Sequence, residues 1–470
     1  MILLKNIARW SSPDILDIPF KLVIYFTLIN SLEIYDFGLL SIAMMIFSYS
    51  SLSQLGVVDW LLYELPKKYS LNLKMDHLLA QSYTFVFVNQ LIMLVIVFSV
   101  VVYFDKGSSF FRTACATYML HTIFYNYYLH KRLYLRFQHK FLRLFNVQMI
   151  LVISKFLLQF GTLKFVGIYG FLLVESVIYL IPIYLFKSET EFTLFDRQWL
   201  RNYTNFLSNG LPFFVVILMA TILGNLDKWY IVSNFGVEQF ATYSVGIFLV
   251  TGLMIFPGKV LSIVTQYMKE MYVSVGNLRA NVSRNLSVNN TLLFLLLCLI
   301  SVMHMVSEYI PLFIPKYTNI LPLIDVFLLS SILKYSVSLT SNILYLIGKR
   351  RSVASVQTII VLFYALILLL NMYLELNIVY VIWSTCVALL LQMIFNLGLL
   401  IRFETIDNKV ELLKFITLVL GSVVYYCINE FGYDEVLVYH YLLFVTFVFL
   451  IKFNVTYENF KYIAKGEFTL

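Results

Sequence analysis

Charge is scarce in this sequence: only 13% of its 470 residues are Asp, Glu, Lys or Arg, while 60% are hydrophobic. The mean hydropathy is +0.83. A soluble chain must cover its surface with polar groups, so this deficit excludes a soluble enzyme and a disordered tail. Only hydrocarbon accepts so much Leu, Ile, Val and Phe. Cysteine is scarce as well. Cys115, Cys298, Cys386 and Cys427 lie in apolar runs without CxxC or Cys/His spacing, which excludes a disulfide scaffold and a structural zinc site and leaves them as small buried hydrophobes. No Gly-x4-Gly-Lys-Ser/Thr phosphate loop, HExxH or GxSxG occurs, and Gly348-Lys349-Arg350-Arg351 lacks the upstream glycine and the following hydroxyl that a phosphate loop needs. Long loops are missing too, so function is expected inside the helical bundle.

What is present is a succession of apolar runs. A helix rising 1.5 Å per residue needs roughly 20 residues to cross about 30 Å of hydrocarbon. Fourteen runs qualify, near Ile15 to Leu32, Phe37 to Leu62, Tyr83 to Phe104, Phe110 to Leu129, Leu144 to Leu163, Val166 to Phe186, Phe206 to Leu226, Phe240 to Val264, Thr291 to Phe313, Ile320 to Ile347, Val353 to Tyr373, Ile378 to Ile401, Leu412 to Ile428 and Val436 to Ile451. The first begins with Asp14, Asp17, Pro19 and Lys21, as an interfacial or cavity-lining helix would. The Trp10 to Asp14 stretch has no signal-peptide features, so the N-terminus is expected to be retained.

With both termini in the cytoplasm, alternation through the spans places 26 of the 34 Lys and Arg inside and 5 outside, as the positive-inside rule requires. The loop from His130 to Arg143 holds Lys131, Arg132, Arg136, Lys140 and Arg143 with no acid, whereas outside loops carry Glu33, Asp36, Glu430, Asp434 and Glu435. The net charge of +8 therefore reads as topology and contact with anionic lipid headgroups, with no nucleic-acid partner needed.

A shift of 203 residues sets Gly38 to Ala43 against Ala241 to Gly246, and Asn126-Tyr127-Tyr128-Leu129-His130-Lys131-Arg132 closes one span much as Asn342 to Arg351 closes another. Six spans separate the copies, so both run in the same orientation. The expectation is an all-α polytopic protein of two six-helix lobes around a central cavity, residues 1–200 and 201–403, with two further helices and a tail in 404–470.

Taken in order, Tyr35 to Ala43, Leu52-Ser53-Gln54-Leu55-Gly56-Val57 with Glu64, Asn225 to Tyr230, Ala241 to Ser244 and Asn342 to Arg351 resemble the O-antigen and oligosaccharide flippases of bacterial inner membranes, within the multidrug/oligosaccharidyl-lipid/polysaccharide exporter superfamily. The acidic Asp14 and Asp17 depart from that pattern, and many relatives lack the last two helices. The resemblance implies alternating-access movement of an undecaprenyl-pyrophosphate-linked oligosaccharide to the periplasmic leaflet of the inner membrane. It also implies a polysaccharide polymerase and a chain-length regulator as partners, and no catalytic residue. A lipid-II-type flippase or a multidrug exporter is the nearest alternative; the short outside loops argue against a membrane polymerase or glycosyltransferase.

Ionisable groups within spans are costly and usually face a cavity or a partner. Lys155, Glu175, Asp325 and Lys334 lie deep in their spans; Lys21 and Asp59 lie near inside ends, where snorkelling competes with a cavity position. Lys155 and Lys334, with Lys228, Arg112 and Lys21, are the candidate contacts for pyrophosphate, because lysine serves a moving anion as a hydrated point charge. Glu175, Asp325, Asp227 and Asp59 are the candidate carboxylates for coupling to a proton or sodium gradient, with a local structural pair between Asp227 and Lys228 as the competing reading. No cofactor or metal is expected. His121 and His304 read as helix-packing histidines, Pro182, Pro212, Pro257 and Pro322 as helix bends, and the 17% aromatic content as lipid-facing and interfacial rings.

Overall fold

The computed structural model describes residues 2–61, 76–104, 108–138, 140–186, 199–251, 309–403 and 409–430, with 286, 290, 292–294, 296–300, 302–303 and 307. No strand occurs among them. The fold is all-α, and eight described helical stretches are long and apolar enough to cross a membrane, which makes this a multi-pass membrane protein. His304, Pro257, the expected span near Val436 to Ile451 and residues 252–264 of the one near Phe240 to Val264 lie outside the described residues. The chain forms two compact units, Ser12–Ser244, and Val245–Leu470 with Met1–Ser11.

In the first unit, the part of α1 (Ile2–Ser31) from Ser12 onward is followed by α2 (Ile34–Ser48), which stops where hydroxyls begin. Ser48 Oγ donates to the Met45 carbonyl at 2.7 Å, Ser51 Oγ to that of Ser48 at 2.9 Å, and Ser53 Oγ to that of Ser50 at 2.6 Å. Bonds to carbonyls three residues back compete with the helical ladder. The chain continues as a 3-10 turn, Tyr49–Gln54, and then passes through Leu55 and Gly56 at φ 45° and 72°. A Cβ on Gly56 would strike the Gly210 carbonyl, and one on Gly210 would lie 2.5 Å from the Leu55 carbonyl. Two glycines thus let two backbones touch, as small residues do between membrane helices.

Then come α3 (Asp76–Phe104), α4 (Ser109–Phe137), α5 (Phe141–Phe165), α6 (Ile168–Val177) and α7 (Leu180–Leu185). The last two are one apolar stretch broken in the middle. Pro182 has no N–H for the Ile178 carbonyl four residues back, which takes the Ile181 N–H at 3.3 Å instead. Tyr179 sits at the break. α8 (Trp199–Leu223) and α9 (Leu226–Phe235) are similarly divided at Gly224 and Asn225, and α10 covers residues 237–251, of which 237–244 belong to this unit.

The second unit is built on α11 (Leu321–Leu346), packed against α13 (Ile378–Arg402) and α14 (Lys409–Glu430), with α12 (Arg350–Tyr373) on α13. Small polar residues bind its interior: Asn396 Nδ2 donates to Thr340 Oγ1 at 3.2 Å and Ser341 Oγ at 3.0 Å, and Asn371 Nδ2 to Ser384 Oγ at 2.8 Å. Outside, the order of a soluble helix is reversed. Ile359, Leu362, Phe363, Leu366, Leu369 and Leu370 of α12 are exposed while Gln357 and Asn371 are buried, as expected when lipid is the solvent.

Candidate functional site: a charged cluster in the helical core

Three helices of the first unit bring ionisable groups together. α5 contributes Lys155 and, one turn on, Gln159; α6 contributes Glu175; α4 contributes His121. Lys155 Nζ lies 3.2 Å from Glu175 Oε1 and 3.1 Å from Oε2. Gln159 Nε2 donates to Oε2. His121 Nδ1 is 3.2 Å from Oε1 and 3.0 Å from the backbone oxygen of Glu175. Both of its neighbours are acceptors, so Nδ1 carries the proton. Glu175 therefore has an ammonium, an amide and an imidazole as donors, which is how a buried carboxylate keeps its charge.

Aromatic rings wall the cluster. His121 stacks on Tyr125 at 5.8 Å and meets Tyr118 and Tyr179 edge-on at 6.1 and 5.1 Å, while Lys155 Nζ stands 6.0 Å from the Tyr179 ring centroid. The break made by Pro182 is what places Tyr179 there. On α1, Lys21 pairs with Asp17 at 2.5 Å, one turn apart.

Asp227 and Lys228 belong to a second polar group in this unit. Buried Asp227 accepts the Lys228 backbone N–H at 2.9 Å and the Tyr243 hydroxyl. The Lys228 ammonium donates to Asn225 Oδ1 at 2.9 Å, and Asn225 Nδ2 to Ser48 Oγ at 3.1 Å. Trp229 Nε1 donates to the Tyr49 hydroxyl at 3.0 Å. These bonds join the break after α2 to the break between α8 and α9. Asp59 is half-buried and Arg112 exposed, away from the Lys155 pair in sequence and element.

Lys334 and Asp325 lie in the second unit, on α11. Nine positions separate them, about two and a half turns, which puts them on opposite faces. Over the middle of α11 the exposed positions are Lys334 and Ser338, with Asn342 half-exposed below them at the same four-residue spacing. This accessible stripe is polar, unlike that of α12, and so suits water rather than lipid.

Sequence reading treated Lys155 and Glu175 separately, as anion contact and coupling group; the structure pairs them. It passed over Gln159 and Tyr179 and took His121 for a packing residue. One signal was available. Gln148, Lys155 and Gln159 fall at i, i+7 and i+11, a single polar stripe along an apolar helix.

No family model and no curated protein matches the sequence. Solved structures do. A eukaryotic MATE transporter, AtDTX14, aligns with a TM-score of 0.66 at 13% identity, over 89% of this chain and 99% of its own. The lipid II flippase MurJ in an inward closed conformation aligns with a TM-score of 0.62 at 14% identity, over 96% of this chain and 99% of its own. The chain has the fold of the MATE transporters and MurJ. A MOP superfamily transporter from Pyrococcus furiosus aligns with a TM-score of 0.56 at 15% identity, over 85% and 95% of the two chains. Within this MATE and MurJ fold, the Lys155–Glu175–His121 cluster is carried by the unit Ser12–Ser244 and the polar stripe of Lys334 by the other.

Proposed function

We propose that this protein is a flippase that moves an undecaprenyl-pyrophosphate-linked oligosaccharide from the cytoplasmic to the periplasmic leaflet of a bacterial inner membrane. The observation that carries this reading is the extent of the likeness to a lipid II flippase, 96% of this chain, against 85 to 89% for the MATE transporters above and other MATE structures. A glycan and a pyrophosphate cannot cross hydrocarbon unaided, because each unsatisfied polar group costs several kcal/mol. The polar stripe of Lys334, Ser338 and Asn342 offers an anion a wet surface, and Lys155 offers a second cation once released from Glu175. Protonation of Glu175 would release it. A proton taken from one side of the membrane thereby frees an ammonium for the phosphate, which couples the gradient to the substrate.

Multidrug export is the second reading, favoured by the TM-score of 0.66 to a MATE transporter. Expression in flippase-deficient strains with defined glycan pathways separates the two. Restored surface polymer, with intact lipid-linked units no longer accumulating inside, supports flipping; drug resistance without restored polymer supports export. A polysaccharide polymerase and a chain-length regulator are the partners this reading implies.

A further inference from the structure

The end of α4 that the sequence places on the inside carries three polar residues buried without enough partners. Asn126, His130 and Lys131 are 3, 3 and 4% exposed. Asn126 accepts from Gln54 Nε2 at 3.2 Å through its Oδ1, but its Nδ2 has no acceptor among the described residues. His130 Nδ1 faces the Asn126 backbone oxygen at 3.0 Å, so that nitrogen holds the proton, and Nε2 has no partner among the described residues. Lys131 Nζ lies 4.9 Å from the centroid of the Tyr127 ring, and among the described residues no carboxylate is within ion-pairing distance of it. The Tyr83 ring closes the same face, 4.9 Å from Tyr127 and 5.3 Å from His130.

A buried ammonium without a counter-charge and a buried amide without an acceptor are each expensive. Asn126 and His130 are one turn apart on one face of α4, and Lys131 lies about 100° round the helix from His130, beside Tyr127; the Tyr83 ring touches both Tyr127 and His130 and so bridges the two positions. An oxyanion would satisfy all three, with His130 taking a proton at Nε2 to become a donor; several acceptor oxygens on one small group match donors of this kind. Arg132 and Arg143 add positive charge on the neighbouring turns of α4 and α5.

We propose that Asn126, His130 and Lys131 form an oxyanion site that receives the pyrophosphate of the lipid-linked substrate before it enters the bundle. The loading role rests on the flippase reading; the oxyanion site itself does not. The test is thermal unfolding of the full chain in nanodiscs of neutral lipid, titrated with inorganic pyrophosphate. Pyrophosphate should raise the midpoint saturably. Lys131→Met should weaken that response at least tenfold without lowering the midpoint in pyrophosphate-free buffer, and Lys131→Arg should keep it. A Lys131→Met midpoint that falls without pyrophosphate, with the pyrophosphate response intact, overturns the site and leaves Lys131 a structural partner of Tyr127. Asn126→Asp serves if Lys131→Met does not fold: an internal carboxylate should raise the midpoint and abolish the response, and an unchanged response overturns the site. In a second arm, nanodiscs doped with polyprenyl pyrophosphate should compete with the soluble anion. Absence of competition overturns the loading role even where the oxyanion binds.

Discussion

Lys155 and Glu175, twenty residues apart on α5 and α6, meet with the ammonium within 3.2 Å of both carboxylate oxygens. The pair is mostly buried, with side-chain exposures of 18 and 11%. Removing one member strands the other charge, which typically costs roughly 3–5 kcal/mol, whereas removing both charges is much cheaper. Lys155→Met and Glu175→Gln should therefore each lower the unfolding midpoint in detergent, and the double variant should recover most of the loss. Additive losses would contradict the pairing.

Coupling follows from the same contact. With Glu175→Gln the group that holds Lys155 can no longer take up a proton, so an imposed proton gradient should no longer accelerate transport in proteoliposomes, while slow movement down the substrate's own gradient persists. His121→Gln keeps a hydrogen-bonding group beside the carboxylate and should reduce the gradient response only partly. A wild-type rate that responds to neither a proton nor a sodium gradient would sink the coupling mechanism.

Backbone contact at Gly56 and Gly210 predicts a large effect without any change of charge. Gly56→Ala places a Cβ against the Gly210 carbonyl at a positive φ, which should cost at least about 2 kcal/mol from overlap and strain combined. Reduced abundance in the membrane and a lower midpoint are expected. Gly398→Ala, whose Cβ meets nothing within 4 Å among the described residues, is the silent control.

Water access separates the two faces described in the second unit. In a cysteine-free background, Lys334→Cys should react with a membrane-impermeant maleimide from one side, and Leu366→Cys, on the exposed apolar face of α12, should not. Lys334→Glu should abolish surface polysaccharide while leaving membrane abundance intact. Equal labelling at both positions, or full activity of Lys334→Glu, would remove the basis for an anion-facing role.

Much of this architecture is legible in the sequence because hydrocarbon writes a simple code: long apolar runs become helices, and rare charges within them stand out. Lys155, Glu175 and Lys334 were visible for that reason. What hydropathy does not carry is which helices touch, so the Lys155–Glu175 contact and the contributions of Gln159 and His121 come only from the packing of α4, α5 and α6. The breaks at Ser48, at Tyr179 and at Asn225 were hidden as well. Pro182 announces one of them, but the hydroxyls of Ser48, Ser51 and Ser53 end α2 through side-chain bonds that an apolar window averages away.

Direct transport decides the flippase reading. Proteoliposomes of the purified full chain, loaded with a fluorescent polyprenyl-pyrophosphate oligosaccharide and probed with a membrane-impermeant quencher, report which leaflet holds the glycan. With a proton gradient imposed, the quenchable fraction should change at a rate that depends on the protein and falls to the empty-liposome rate with Lys334→Glu. A wild-type rate equal to that of empty liposomes, under both proton and sodium gradients, would contradict it.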